Sequence, residues 1–281
     1  MDTFQENIMN IAEEPIFFEN QGTRLFGIVH RPVKESNGQA FVFCHSFAEE
    51  KLWAHRVLVS YARDLAQQGY LVFRFDYRGY GDSEGEFVDC TLQSHIQDVR
   101  SAVEYVKQNF TDVDKINLLG HRLGASIVLS GLDELMVNGC LVLWDPVVDG
   151  EKYIKEFLRS NLTTQLAVYG EVRETREKLI ERMQNGELVN VEGYDLNEAQ
   201  YDSLCGLNLL EVEADLAEMS VLIVQVSRTD KVKKDIAALL EKTAADICFA
   251  NEEQFWREIK RFYNRADAMY QVTDNWLENQ Q

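Results

Sequence analysis

The chain has no apolar run approaching roughly 18 residues, so no membrane-spanning helix is expected. Residues 1–14 carry Asp2, Glu6, Glu13 and Glu14 but no apolar h-region, so no secretory leader is expected either. Five cysteines (Cys44, Cys90, Cys140, Cys205, Cys248) are odd in number and scattered, and none forms a CxxC pair. That pattern speaks against a disulfide framework and against a zinc or thiol-redox site; reduced, mostly buried thiols in a cytoplasmic setting are expected, with no metal and no cofactor. Positive charge is also short: 28 Lys and Arg stand against 47 Asp and Glu, a net charge of −19. Nucleic acid and anionic membrane both need basic patches, so neither is expected as a partner, and membrane insertion is not expected. Between Met183 and Ser227 there is no Lys, Arg or His at all. No histidine follows His121.

What is present alternates. Pro15–Glu19 and Thr23–His30 read as strands around the turn Asn20-Gln21-Gly22. Ala40–His45, Tyr70–Phe75, Lys115–Leu119 and Gly139–Trp144 are apolar runs of the kind found in strands covered on both faces. Helical spacing separates them: Trp53, Val57, Leu58, Tyr61 and Leu65, then Leu92, Ile96, Val99 and Val103, then Leu123, Ile127, Val128 and Leu132. This order predicts an α/β fold with a mostly parallel central sheet and helices on both faces. Residues 146–218 break the rhythm and read as a small inserted cap. Within it Glu151–Ser160 and Glu171–Gly186 look helical, Leu188–Leu196 like a strand and Asn197–Leu207 like a short helix. The rhythm returns with a strand at Val221–Val226, a helix near Val232–Lys242 and a strand at Asp246–Ala250. Phe255, Trp256, Ile259, Phe262 and Tyr263 have the spacing of a closing helix. The division expected is a lead-in at 1–14, a core at 15–145 and 219–281, and a cap at 146–218. The acidic run of the cap, from Glu187 to Glu218, is a solvated face or a docking surface for a basic protein partner.

The pivot is Leu118-Leu119-Gly120-His121-Arg122-Leu123-Gly124-Ala125-Ser126. A strand enters a Gly-x-x-x-Gly turn and a helix leaves it, the layout that lifts a catalytic serine above an α/β sheet. The central residue here is Arg122, whose guanidinium stays protonated and cannot attack a carbonyl. Two further motifs stand in register with it: Asp76-x-Arg78-Gly79-x-Gly81-x-Ser83-x-Gly85, and Val221–Asp230 (VLIVQVSRTD). Together they resemble the α/β-hydrolase superfamily, which implies an α/β-hydrolase fold. A narrower resemblance rests on Phe47-Ala48-Glu49-Glu50-Lys51 with Arg56, Gly81-Asp82-Ser83-x-Gly85-x-Phe87, Arg122-Leu123-Gly124-Ala125, Leu143-Trp144-x-Pro146-Val147-Val148, Glu192-Gly193-Tyr194-x-Leu196 and Phe255-Trp256. These look like bacterial exosortase A system-associated hydrolase-like proteins, which implies that arginine at the elbow is a shared trait.

A Ser-His-Asp mechanism needs a nucleophile, a base and an acid. The resemblance puts Arg122 at the nucleophile position and Asp230 at the acid position, with Asp145 as a second candidate acid. The base is expected near residues 251–257, where no histidine stands. The expectation is therefore a noncatalytic protein in which Arg122 pairs with Glu49, Glu50 or Asp230, or binds a small anionic or acyl ligand in the cleft with His121, His45, Ser46, Phe47, Asp145 and Trp256 around it. The alternative is an esterase, acyl hydrolase or acyltransferase with a rearranged site, using His45 or His121 as base and Ser46 nearby.

Overall fold

The computed structural model describes residues 12–214, 216, 219–257 and 264–280. Most of the expected lead-in, along with Asp215, Glu218, Ile259, Phe262 and Tyr263, lies outside the described residues.

The chain opens with a hairpin of β1 (Glu13–Asn20) and β2 (Thr23–His30), paired antiparallel. Its turn residues Gln21 and Gly22 both have positive φ (51° and 85°), the backbone a two-residue hairpin loop requires. Then come β3 (Gln39–Cys44), α1 (Ala48–Gln67), β4 (Leu71–Phe75), α2 (Leu92–Asn109), β5 (Lys115–His121), α3 (Leu123–Ser130), α4 (Leu132–Leu135) and β6 (Leu141–Trp144). A long connection follows, carrying α5 (Gly150–Tyr169), α6 (Arg176–Gln184), β7 (Val189–Val191), β8 (Tyr194–Leu196) and α7 (Glu198–Cys205). β9 (Val221–Val226), α8 (Lys234–Thr243), β10 (Asp246–Ala250) and α9 (Asp267–Glu278) complete the chain.

Eight strands form one sheet in the order β1-β2-β4-β3-β5-β6-β9-β10, parallel from β4 to β10. This is the α/β-hydrolase fold, a mostly parallel sheet with helices on both faces. Strand alternation divides the core in two. Phe41 and Phe43 of β3 face α1 and α9, where they join Tyr61, Leu65, Trp144, Tyr270 and Trp276. Ala40, Val42 and Cys44 point the other way, to Ile96, Val99, Ile127 and Leu239 on α2, α3 and α8.

Two local expectations need correction. Leu188–Leu196 is not one strand but the ribbon β7–β8, reversed at Glu192-Gly193, where both residues have positive φ. Phe255 and Trp256 do not sit on a closing helix: residues 251–257 are irregular, and the closing helix is α9, which buries Met269, Tyr270, Thr273, Trp276 and Leu277. No helix among the described residues is long and apolar enough to cross a membrane. All five cysteines are free; Cys44, Cys90 and Cys140 are buried.

Candidate functional site

β5 ends at His121, and Arg122 turns the chain into α3 with φ 55° and ψ −119°. That backbone is strained for a residue with a side chain. The flanking glycines make the turn possible by close approach. A Cβ on Gly124 would lie 2.0 Å from the Cys44 carbonyl oxygen, and one on Gly120 would lie 2.3 Å from Ala125 Cα. Two other non-glycine residues at this sheet edge have positive φ: Ala48 (46°), which opens α1, and Asp145 (44°), which follows β6. Strain concentrated at one edge marks a functional or formerly functional site.

The Arg122 guanidinium is engaged on two sides. Nε and Nη2 each donate to Glu50 Oε1 at 3.3 Å, and Nη1 donates to the Asp145 carbonyl at 3.1 Å and to its Oδ2 at 3.5 Å. Tyr153 Oη, from α5, donates to Glu50 Oε2 at 3.0 Å. Lys233 Nζ reaches Asp145 Oδ1 at 2.7 Å. Two cations, two carboxylates and a phenol thus form one network without net charge. The side chains of Arg122, Glu50 and Asp145 are only 15%, 18% and 2% exposed. Trp256 lies under the guanidinium, its ring centroid 5.3 Å from Arg122 Cζ. Burial pushes Glu50 above the usual carboxylate range, and Arg122 and Tyr153 only partly offset this. Burial works against the Arg122 charge as well, but Glu50 and Asp145 more than compensate and hold it firmly protonated.

Of the three acids expected to meet Arg122, only Glu50 does. Glu49, one position earlier on α1, points to Tyr194 and Glu192; burial and Glu192 raise its carboxyl. Asp230 is exposed in the loop after β9, and no contact joins it to Arg122. Lys233, a residue the sequence reading missed, comes from the same segment and meets Asp145 instead. Asp145 is thus a partner of two cations, Arg122 and Lys233.

Beneath this network lies a second pair. Ser46 Oγ is 2.5 Å from His121 Nδ1, and the two residues are 1% and 0% exposed. The His121 ring stacks on Phe255 (centroids 5.3 Å, 17°) and meets Trp256 edge-on. Its Nε2 is buried without a hydrogen-bond partner among the described residues. Burial and then the Arg122 charge push its pKa well below the ordinary histidine value. His45 belongs to a separate cluster: Nδ1 lies 2.8 Å from the Ser46 carbonyl, and its ring packs on Tyr77 at 4.3 Å. It too is held neutral by burial. Phe47 fills an aromatic corner with Phe87, Tyr153 and Phe157. Ser126 Oγ donates to the Val147 carbonyl at 2.6 Å, so it is committed to packing. What remains open beside Arg122 is a cavity of about 240 Å³, bounded by Asp145, Lys152, Tyr153, Lys233 and Trp256. No group of His, Cys, Asp and Glu among the described residues is arranged to hold a metal ion.

The sheet order, the strained strand-to-helix turn and the loops converging on it define a member of the α/β-hydrolase superfamily. Within it, the chain belongs to the family of serine aminopeptidase, S33 (Hydrolase_4), whose model matches residues 35–268. Uncharacterized protein YfhR of Salmonella typhi is 32% identical over 133 residues, which are 46% of this chain and 42% of that protein. Quorum-quenching protein AidA of Acinetobacter baumannii is 24% identical over 131 residues, 44% of this chain and 41% of AidA. The chain thus spans about two fifths of the length of the curated relatives it matches. Among solved structures, Est1E from Butyrivibrio proteoclasticus with ferulic acid bound is similar with a TM-score of 0.68 at 17% identity, over 94% of this chain and 98% of that one. An α/β serine hydrolase without lid from Xanthomonas campestris is similar with a TM-score of 0.59 at 15% identity, over 95% of this chain and 94% of that one. At such identities the likeness is one of fold.

Proposed function

We propose that this chain is a noncatalytic α/β-hydrolase-fold protein, in which Arg122 replaces the elbow nucleophile and serves as an ion-pair anchor across the cleft. The observation that carries this reading is the set of partners around its guanidinium: Glu50, the Asp145 carbonyl and the Asp145 carboxylate. A side chain so held gives neither a nucleophile nor a free cation to recruit substrate. His121, the histidine of the elbow itself, is turned beneath it, buried and neutral. The test is turnover of a p-nitrophenyl ester panel, together with labelling by a fluorophosphonate probe. No turnover and no labelling are expected from the native chain or from Arg122→Ser, because the substitution restores a hydroxyl but no base. Turnover that co-purifies with the native protein overturns the reading.

One observation favours a second reading, an acyl hydrolase built on Ser46 and His121: their 2.5 Å contact. Against it stand the burial of both groups, the lack of an acid on His121 Nε2 and the depressed basicity of the ring. Esterase activity abolished by Ser46→Ala would establish it.

A further inference from the structure

The last turn of α5 stands out from the cap, exposed on every side from Leu166 to Tyr169. Val168, Tyr169 and Val172, with Leu188 just before β7, are between 48% and 65% exposed. Val168, Tyr169 and Leu188 line a cavity of about 770 Å³ between the α5 end, α6 and the β7–β8 ribbon. It shares no lining residue with the cavity beside Arg122. Large apolar side chains gathered on one exposed surface mark a place where something docks. The frame behind them is fixed. Gln165 is buried; its Oε1 accepts from the N–H groups of Arg173 at 2.7 Å and Glu174 at 2.8 Å, and its Nε2 donates to Asn161 Oδ1 at 2.6 Å and to the Glu174 carbonyl at 3.1 Å. Gly170 closes the helix with φ 73°, its N–H donating to the Leu166 carbonyl at 3.0 Å. A surface held in this way loses little freedom on binding.

The charges around the groove select the occupant. Its two cations, Arg173 and Arg182, are already committed. Arg173 lies over the Tyr169 ring at 3.8 Å and pairs with Glu171 at 3.6 Å. Arg182 pairs with Glu174 and Glu187, each at 2.8 Å, and so ties the α5 side of the groove to the β7 side. Glu192 and Asp195 complete the lining. Asp195 accepts from the neutral Asn190 amide at 2.8 Å, and Glu192 lies near a second carboxylate, Glu49. Among the described residues, no cation pairs with Glu192 or Asp195. The carboxylates of Glu171, Glu174, Glu187, Glu192 and Asp195 therefore outnumber two guanidinia that are already paired. A second copy of the chain would bring the same acidic rim and a net charge of −19, and an anionic membrane would be repelled as well. A cationic partner is attracted.

We propose that the groove between the α5 end and the β7–β8 ribbon docks a basic amphipathic segment of a partner protein. The segment's apolar side chains cover Val168, Tyr169 and Leu188, and its Lys or Arg side chains meet Glu192 and Asp195. Docking on the acidic run of the cap thereby narrows to residues 187–195, joined to the end of α5. The surface does not depend on whether the elbow is catalytic.

Fluorescence anisotropy of the whole chain with three labelled peptides tests the proposal, each of about 18 residues, long enough for an amphipathic helix. One carries Leu and Lys at helical spacing, one replaces every Lys with Glu, and one replaces every Leu with Ser. The Leu/Lys peptide binds saturably at one site, the Leu/Glu peptide does not, and the Ser/Lys peptide binds at least about tenfold more weakly than Leu/Lys. Val168→Ser and Leu188→Ser each weaken the Leu/Lys peptide by about fivefold, and Glu192→Gln weakens it by about threefold. Val168 and Leu188 are exposed, so their replacement leaves the fold intact. Glu241→Gln, an exposed acid of α8 outside the groove, leaves binding unchanged. Native affinity in both Val168→Ser and Leu188→Ser, a Leu/Glu or Ser/Lys peptide that binds as tightly as Leu/Lys, or binding by none of the peptides overturns the proposal. Self-association of the native chain that Leu188→Ser abolishes overturns it in favour of a second copy. Binding to phosphatidylcholine vesicles that Leu188→Ser abolishes overturns it in favour of a membrane.

Discussion

Arg122 and Glu50 close the cleft from opposite sides: two guanidinium nitrogens converge on one carboxylate oxygen at 3.3 Å, while Tyr153 holds the other at 3.0 Å. The pair joins the elbow to the first turn of α1, far apart in sequence. Removing one partner leaves a charge in a site that is mostly closed to water. Arg122→Gln or Glu50→Gln alone is expected to cost about 2–3 kcal/mol, below the range for fully buried pairs because some solvent reaches both groups. The double variant should cost clearly less than the sum. Urea denaturation of the four proteins measures the coupling, and strict additivity would show that the contact contributes nothing.

The elbow glycines are fixed by contact distance. In Gly124→Ala the new methyl meets the carbonyl oxygens of Cys44 and His45, and both obstacles are backbone in the sheet edge. A cost above about 3 kcal/mol is expected, as for overpacking that no side chain can relieve. Soluble yield and circular dichroism read this directly. A well-folded Gly124→Ala protein with native stability would refute the close packing of the β3 end on α3.

Much of this arrangement is legible in the sequence, because the parallel strands are covered on both faces and so appear as unbroken apolar runs. The elbow is legible through its two glycines. The choice among Glu49, Glu50 and Asp230 is not. Successive helix residues point about 100° apart, so the partner of Arg122 depends on the phase of the first turn of α1, which a positive φ at Ala48 sets. Lys233 looks like an ordinary surface lysine until the β9 loop brings it to Asp145. Phe255 and Trp256 have helical spacing, yet they pack on His121 from an irregular segment. The periodic set Met269, Tyr270, Thr273, Trp276 and Leu277 is what α9 buries. The meeting of Arg74 with His30 joins two strands, and no local pattern announces it.

Buried neutral histidines set an acid limit on stability. Burial pushes His95 down to about 4, although Asp98 favours its charge, and its ring lies tilted against Tyr77 with centroids 4.6 Å apart. A folded pKa below the unfolded value near 6.5 means that the unfolded chain binds the proton first. Stability is therefore full above about pH 6.5 and is lost as pH falls toward 4, by about 1.4 kcal/mol per unit. His95→Phe keeps the ring and removes the titration. Between pH 7 and pH 5 the native chain should lose about 2 kcal/mol more than His95→Phe. Glu50, raised in the fold, acts with the opposite sign but is common to both proteins and cancels. Equal losses in urea titrations at the two pH values would refute the assignment.

The Ser46–His121 contact separates a structural pair from a catalytic one by stability alone. Ser46→Ala strands a second ring nitrogen of a histidine whose Nε2 already lacks a partner, and it should cost about 1–3 kcal/mol. Replacing His121 as well, in Ser46→Ala/His121→Phe, removes both polar partners and retains a ring to stack on Phe255. A structural pair predicts that this double variant is more stable than Ser46→Ala, because no buried polar atom is left stranded. A pair kept for catalysis at the expense of stability predicts a different first step: Ser46→Ala itself would stabilise the fold, as relief of a strained functional group does. Thermal and urea unfolding of the two variants beside the native chain decide between these outcomes without any substrate.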